Sequence, residues 1–286
     1  MMGQTGWEFT DDRGQLAAAS RRPSKVVAYV QAGATLADHG VVCAGVFGSL
    51  HDGAELDRAK AGALAEATTA YLGAGGTLDV ETLLRGGPDL VVAVSYGGGQ
   101  VYGLDPGVAK QLEEHVPVVV LDVGQTHELG GIRGRFDALA RSLGADVDAE
   151  DGVRVLGAAE ERLRAAGARP GAARVLALSS AGAEQVHLAR PGAWPELRAL
   201  TACGVALVEP PAEGGINWST VGWADAGGLR PEIVLADVRS NAGPMDAEFA
   251  RGARVVAWNP EAPCSARAHA EFLTMVADAL EGVSAT

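Results

Sequence analysis

The chain has 286 residues, 48% of them apolar and only 5% aromatic, and its 23 Lys and Arg against 36 Asp and Glu give a formal charge of −13. That charge opposes nonspecific attachment to nucleic acid or to an anionic membrane surface and favours a neutral or cationic ligand. Cys43, Cys203 and Cys264 are too few and too scattered for a disulfide framework or a zinc motif, and read as small buried thiols. No stretch approaches 18 consecutive apolar residues, and the opening "MMGQTGWEFTDDRGQ" has neither a basic nor an apolar leader region. As written, the chain reads as soluble and cytoplasmic.

In chain order, the first half presents four apolar runs: "KVVAYVQAG" (25–33), "VCAGVFG" (42–48), "PDLVVAVS" (88–95) and "VPVVVLDVG" (116–124). Helical patterns fall between them at "DVETLLRGG" (79–87) and "GVAKQLEEH" (107–115). A longer amphipathic stretch, "DAEDGVRVLGAAEERLRAAGA" (148–168), follows with Val153, Leu156, Ala159 and Leu163 on one stripe, a cap at Asp148 or Asp151, and Gly167 at its end. The second half repeats the first: "ARVLALSSAG" (173–182), "GVALVEP" (204–210), "PEIVLADVRS" (231–240) and "ARVVAWNPE" (253–261), with helices at 194–204 and 245–252. The final helix, 264–283, carries Phe272, Met275, Val276 and Leu280 at core spacing. Continuous β-branched runs of this kind are parallel strands covered on both faces. The expectation is α/β: two Rossmann-like lobes with parallel sheets, residues 1–147 and 169–286, joined by one long connecting helix, 148–168. About twenty helical residues span about 30 Å, and a single crossing predicts little lobe motion.

The loop "SYGGGQVYG" (95–103) raises the question of its ligand. Reading Gly-x-Gly-x-x-Gly from Gly97 puts Tyr102 where the third glycine belongs, and no Gly-Lys-Ser/Thr exists, so neither phosphate signature is present. In open parallel sheets ligands sit beyond the carboxyl ends of the strands. The loop is therefore read as one wall of an interlobe cleft, with glycines that let the backbone approach and with Tyr96 and Tyr102 offering ring faces and hydroxyls. Other candidates at strand ends are Gln31, His51, Gln100, His187, Arg190, Asn217, Trp218, Arg239, Asn241 and Asn259, while Trp223 is assigned to packing. The six histidines show no metal-binding spacing, and no nucleophile elbow occurs, so neither a metal site nor a hydrolase is expected.

The segments "FTDDRGQ", "RRPSKVVAYVQAGATLADHG", "LDVETLLRGGPDLVVAVS" and "LRPEIVLADVRSN" resemble substrate-binding proteins of ABC importers in the iron-siderophore and vitamin B12 class. The resemblance implies two α/β lobes on one long helix and capture of a small molecule, a ferric siderophore or similar chelate, for a permease. It implies no resident cofactor, since any metal arrives inside the ligand, and a monomer outside the membrane core. It also implies a docking glutamate on each lobe. Glu81 meets the pattern seven residues before Pro88; the matching position before Pro231 is Ala224, with Asp225 beside it. Such a protein is exported as a lipoprotein on the outer face of the membrane, which requires a trimmed leader here. The alternative is a cytosolic protein of the same fold that sequesters or transforms a small metabolite.

Overall fold

The computed structural model describes residues 6–66, 69–147, 149–169, 171 and 173–283. They form two compact units, residues up to 147 together with Glu261–Ser265, and Ala149–Pro260 together with residues 266–283. The chain thus passes between the units three times, because a short segment before the last helix returns to the first.

The first unit opens with a hairpin, β1 (Trp7–Thr10) and β2 (Leu16–Ala19), turned by "DDRG". The buried Asp11 closes this turn, accepting from the amides of Arg13 and Gln15 at 2.9 and 3.0 Å. Then follow β3 (Val26–Tyr29), α1 (Val30–Asp38), β4 (Gly45–Phe47), α2 (Arg58–Ala61), β5 (Ala70–Tyr71), α3 (Val80–Arg85), β6 (Leu90–Ser95), α4 (Pro106–Glu113), β7 (Val118–Asp122) and α5 (Leu129–Ser142). The five strands β5-β4-β3-β6-β7 make a wholly parallel sheet. Every residue of β6 is buried, as its unbroken apolar sequence requires. Asp79 and Asp105 cap α3 and α4 through their carboxylates, and Pro106 occupies the first turn of α4, where no amide donor is missed. The run 25–33 is not one strand. It turns into α1 at Val30, and α1 is buried from Val30 to Leu36, so its sequence lacks the polar face that marks a helix.

The second unit begins with α6 (Ala149–Gly167), followed by β8 (Val175–Ser180), β9 (Gln185–Ala189), α7 (Pro195–Ala202), β10 (Trp218–Gly222), α8 (Trp223–Gly228), β11 (Ile233–Asp237), α9 (Ala247–Arg251), β12 (Arg254–Trp258) and α10 (Ala266–Val283). Two features of α6 differ from expectation: Val153 is 57% exposed, and Asp151 lies inside the helix, bonded to Arg154, instead of capping it. Asp148 lies outside the described residues. In α10, Met275 is likewise 42% exposed, and the core face is carried by Ala270, Leu273, Val276, Ala277 and Leu280.

The sheet of this unit, β10-β9-β8-β11-β12, is mixed and not parallel throughout. Strands β8, β11 and β12 run parallel, but β9 is antiparallel to β8 at its other edge, and β10 pairs antiparallel with β9 in turn. The run 204–210, read as a strand, makes only one bridge, Leu207 to Val175. Leu207 takes the amino half of that edge of β8, and β9 takes the carboxyl half.

Candidate functional site

In the first unit the chain moves from β3 to β4 on one side and places β6 on the other, so the sheet has a topological switch point between β3 and β6. Loops that part at a switch point leave a crevice at the carboxyl ends of the strands. Here the crevice is lined by aromatic groups. Tyr96 and Tyr102 meet edge to face at 4.6 Å between ring centroids, and Tyr102 packs in the same way on the fully buried Tyr29 at 5.6 Å. Gln31, in the first turn of α1, is buried and bridges to this pair, accepting from the Tyr96 hydroxyl at 3.4 Å and donating to the carbonyl of Ala262 at 3.0 Å.

The loop conformation needs glycine. Gly97, Gly98 and Gly99 have φ of 104°, 70° and 70°, where a Cβ is strained, and Gly103 has φ of 82°. Gly75 supports the loop from the segment after β5, where its missing side chain lets the Gly103 carbonyl pack against it. Tyr96 and Tyr102 are half-buried, and Gln100 and His51 are exposed at the same end of the sheet. Leu50, 57% exposed beside His51, is an apolar contributor that the strand-end reading passes over.

Beneath this crevice lies a charged cluster with no sequence signal. Lys60 is fully buried, with its Nζ 2.7 Å from Asp52 and 3.1 Å from Glu261. Asp52 also accepts from the Ser49 amide at 2.6 Å, and the Tyr29 hydroxyl donates to Glu261. Burial, reinforced by the charge of Glu261, holds the Tyr29 hydroxyl well above its ordinary pKa, so it remains a donor. Together with the bond from the Cys264 amide to Thr35 and that from Ser265 to Asp38, this cluster ties residues 261–265 to the first unit.

In the second unit the reversed direction of β9 redistributes the candidates. His187 on β9 is level with Ser179 near the carboxyl end of β8 and bonds Thr220 at 2.8 Å. Arg239 and Asn241 follow β11, and Asn259 follows β12, at that same end. Arg190 and Asn217 do not join them. Because β9 runs antiparallel, the residues after its end fall toward the amino end of β8. There Arg190 clamps the loop before β10 through the carbonyls of Ala212, Glu213 and Gly215. Trp218 sits in an aromatic cluster, 5.0 Å from Trp194 and 5.9 Å from Trp258. Trp223 is buried, and its indole donates to Gly182, a packing role as expected. Arg239 forks onto the buried carboxylate of Asp237, with contacts of 2.7 to 3.2 Å. Glu196, at the start of α7, accepts from the Trp258 indole at 3.2 Å, and burial pushes its pKa up to about 7.

Glu81 is exposed in the first turn of α3, and Ala224 is exposed in the first turn of α8. A groove of about 930 Å³ borders Ala224 along α8 and α9, and its lining includes four acidic residues, Glu184, Glu232, Asp246 and Glu248, beside Arg230. Among the described residues, no group of His, Cys, Asp and Glu is arranged to hold a metal ion, and no helix is long and apolar enough to cross a membrane.

No protein-family model matches the chain, nor does any curated protein by sequence. Solved structures do match. DesE, a ferric-siderophore receptor protein from Streptomyces coelicolor, superposes with a TM-score of 0.86 at 25% identity over 96% of this chain and 98% of that one. This is the periplasmic-binding-protein fold of siderophore receptors. The siderophore periplasmic binding protein from the fuscachelin gene cluster of Thermobifida fusca shares it at a TM-score of 0.64 and 14% identity, covering 91% of this chain and 97% of that one. The heme binding protein HmuT does so at 0.65 and 17%, covering 98% of this chain and 91% of that one.

Proposed function

We propose that this protein captures a ferric siderophore or similar chelate and presents it to the permease of an ABC importer. The observation that carries the reading is the match to the DesE receptor along nearly the whole of both chains. The crevice chemistry supports it: paired tyrosine rings, a buried amide and a glycine loop suit a bulky ligand with an apolar periphery and oxygen atoms to accept hydrogen bonds. The neighbours are binding proteins and not enzymes, which favours capture over the sequestering or transforming of a metabolite. Tyr96, Tyr102, Gln31, Gln100 and His51 are the first unit's candidates for ligand contact, and His187, Arg239, Asn241 and Asn259 are those of the second unit, each at the carboxyl end of its own sheet.

Glu81 offers the permease a carboxylate on the first unit. On the second, Ala224 cannot do so, and the acidic rim of the groove beside it supplies charge for basic permease residues. Native mass spectrometry of freshly purified protein, followed by titration with ferric chelates, tests the reading. The expected result is one iron chelate per chain with micromolar or tighter affinity. Failure to bind any ferric chelate would refute it. In a reconstituted transporter Glu81→Ala should weaken docking, and Ala224→Glu should strengthen it.

A further inference from the structure

The helix α1 carries Gln31, Thr35 and Asp38 four and three residues apart, so the three polar side chains stack along one face. That face does not meet water. Gln31 and Thr35 are buried, and all three residues bond to the segment 262–265, which returns to the first unit from the far end of the chain. The Gln31 Nε2 donates to the Ala262 carbonyl at 3.0 Å, the Cys264 amide donates to Thr35 Oγ1 at 2.8 Å, and Ser265 Oγ donates to Asp38 at 2.6 Å. One residue earlier, Glu261 accepts from the Tyr29 hydroxyl and lies 3.1 Å from Lys60.

These bonds reach the crevice by two routes. With Nε2 of Gln31 on the Ala262 carbonyl, its Oε1 is turned to Tyr96, whose hydroxyl donates to it at 3.4 Å. Reversing the amide would set the oxygen of Gln31 against the Ala262 carbonyl and leave two buried acceptors unsatisfied. By the second route Glu261 holds the hydroxyl of Tyr29, and the Tyr29 ring meets Tyr102 edge to face, as Tyr102 in turn meets Tyr96. We propose that the return segment positions the first unit's crevice: Glu261 through Tyr29, and Ala262 through Gln31, hold Tyr102 and Tyr96 where those rings meet the ligand. This rests on the capture reading above and concerns the first unit alone. Rings locked from behind in this way lose little freedom when the ligand arrives, which favours affinity.

The test separates the acceptor at position 261 from its charge. Glu261→Gln keeps an oxygen for the Tyr29 hydroxyl and leaves Lys60 on Asp52, whereas Glu261→Leu removes the acceptor. The full chain is titrated by fluorescence with two probes, the ferric complexes of a trihydroxamate and of a triscatecholate. Fluorine NMR of ligand-free protein carrying fluorotyrosine supplies a second readout, with one signal for each of the four tyrosines. For whichever probe binds the parent, Glu261→Gln should stay within about threefold of it and Glu261→Leu should bind at least about tenfold more weakly. Tyr29→Phe should reproduce that loss and add nothing in the Glu261→Leu background, and it carries the test alone if Glu261→Leu does not fold. The Tyr96 and Tyr102 signals should shift in Glu261→Leu and in Tyr29→Phe, while that of Tyr71, bonded to the Gly53 carbonyl, stays in place. Thr35→Val, which cuts the Cys264 bond without touching a ring, should shift Tyr96. Parent-like affinity with unmoved Tyr96 and Tyr102 signals in Tyr29→Phe would overturn the proposal and leave Glu261 a residue of stability only. If neither probe binds the parent, the capture reading falls, and the fluorine signals decide by themselves whether the segment positions the rings.

Discussion

Replacing Lys60 with Met removes the one cation from a buried cluster that holds two carboxylates. The Nζ lies 2.7 Å from Asp52 and 3.1 Å from Glu261. At an effective dielectric of about 20 these separations correspond to roughly 6 and 5 kcal/mol of attraction, and the cost of taking the three groups out of water offsets much of it in the intact protein. The variant keeps that cost and loses the attraction, so the expected destabilisation is about 3 to 5 kcal/mol. For a unit of this size that lowers the melting temperature by roughly 10 °C, read by scanning calorimetry of the full chain. Adding Asp52→Asn and Glu261→Gln to Lys60→Met should restore most of the loss, because no uncompensated charge remains. Ligand affinity should fall in the single variant as well, since Glu261 holds Tyr29 and Tyr29 supports Tyr102. A Lys60→Met protein melting within about 2 °C of the parent would refute the ion-cluster account.

Tyr102→Ala should weaken chelate binding by about 1 to 3 kcal/mol and also lower the melting temperature, because the ring packs on Tyr29 and Tyr96; titration and calorimetry on the same sample separate the two effects. Gly75→Ala would set a Cβ 1.7 Å from the Gly103 carbonyl oxygen and must displace the glycine loop, whereas the neighbouring Gly76→Ala meets only the end of Leu50 at 3.4 Å. Affinity should drop for the first and hold for the second, and equal affinities would exclude the loop from binding. Glu196 has its carboxyl raised from 4.5 to about 7 by burial, so folding favours the protonated form. Its contribution is complete below about pH 4.5 and is lost as pH rises through 7, a penalty of at most about 3 kcal/mol. Glu196→Gln should flatten that part of the stability profile, and a profile parallel to the parent's would show that the carboxyl is not desolvated.

The repeating order of apolar runs made the α/β class readable from the sequence, because a strand covered on both faces has no choice but to be continuously apolar, as Leu90–Ser95 and Val118–Asp122 are. The glycines at 97–99 and the tyrosines beside them were equally legible, since a positive φ and an amphipathic ring are properties of single residues. Pairing between distant segments was not. The sequence "EQVHLAR" and the run 204–210 are both short and apolar, and only competition for the same edge of β8 makes one an antiparallel strand and reduces the other to a single bridge. That competition reverses the direction in which Arg190 and Asn217 lie. Likewise Lys60 sits in "DRAKAG" as an ordinary helical lysine, and its burial depends on Glu261, 201 positions away in the chain, arriving beside Asp52. Local residue chemistry reports what a segment can do, and the Arg239–Asp237 pair two residues apart belongs to it, while the neutralisation of Lys60 exists only once the chain has closed on itself.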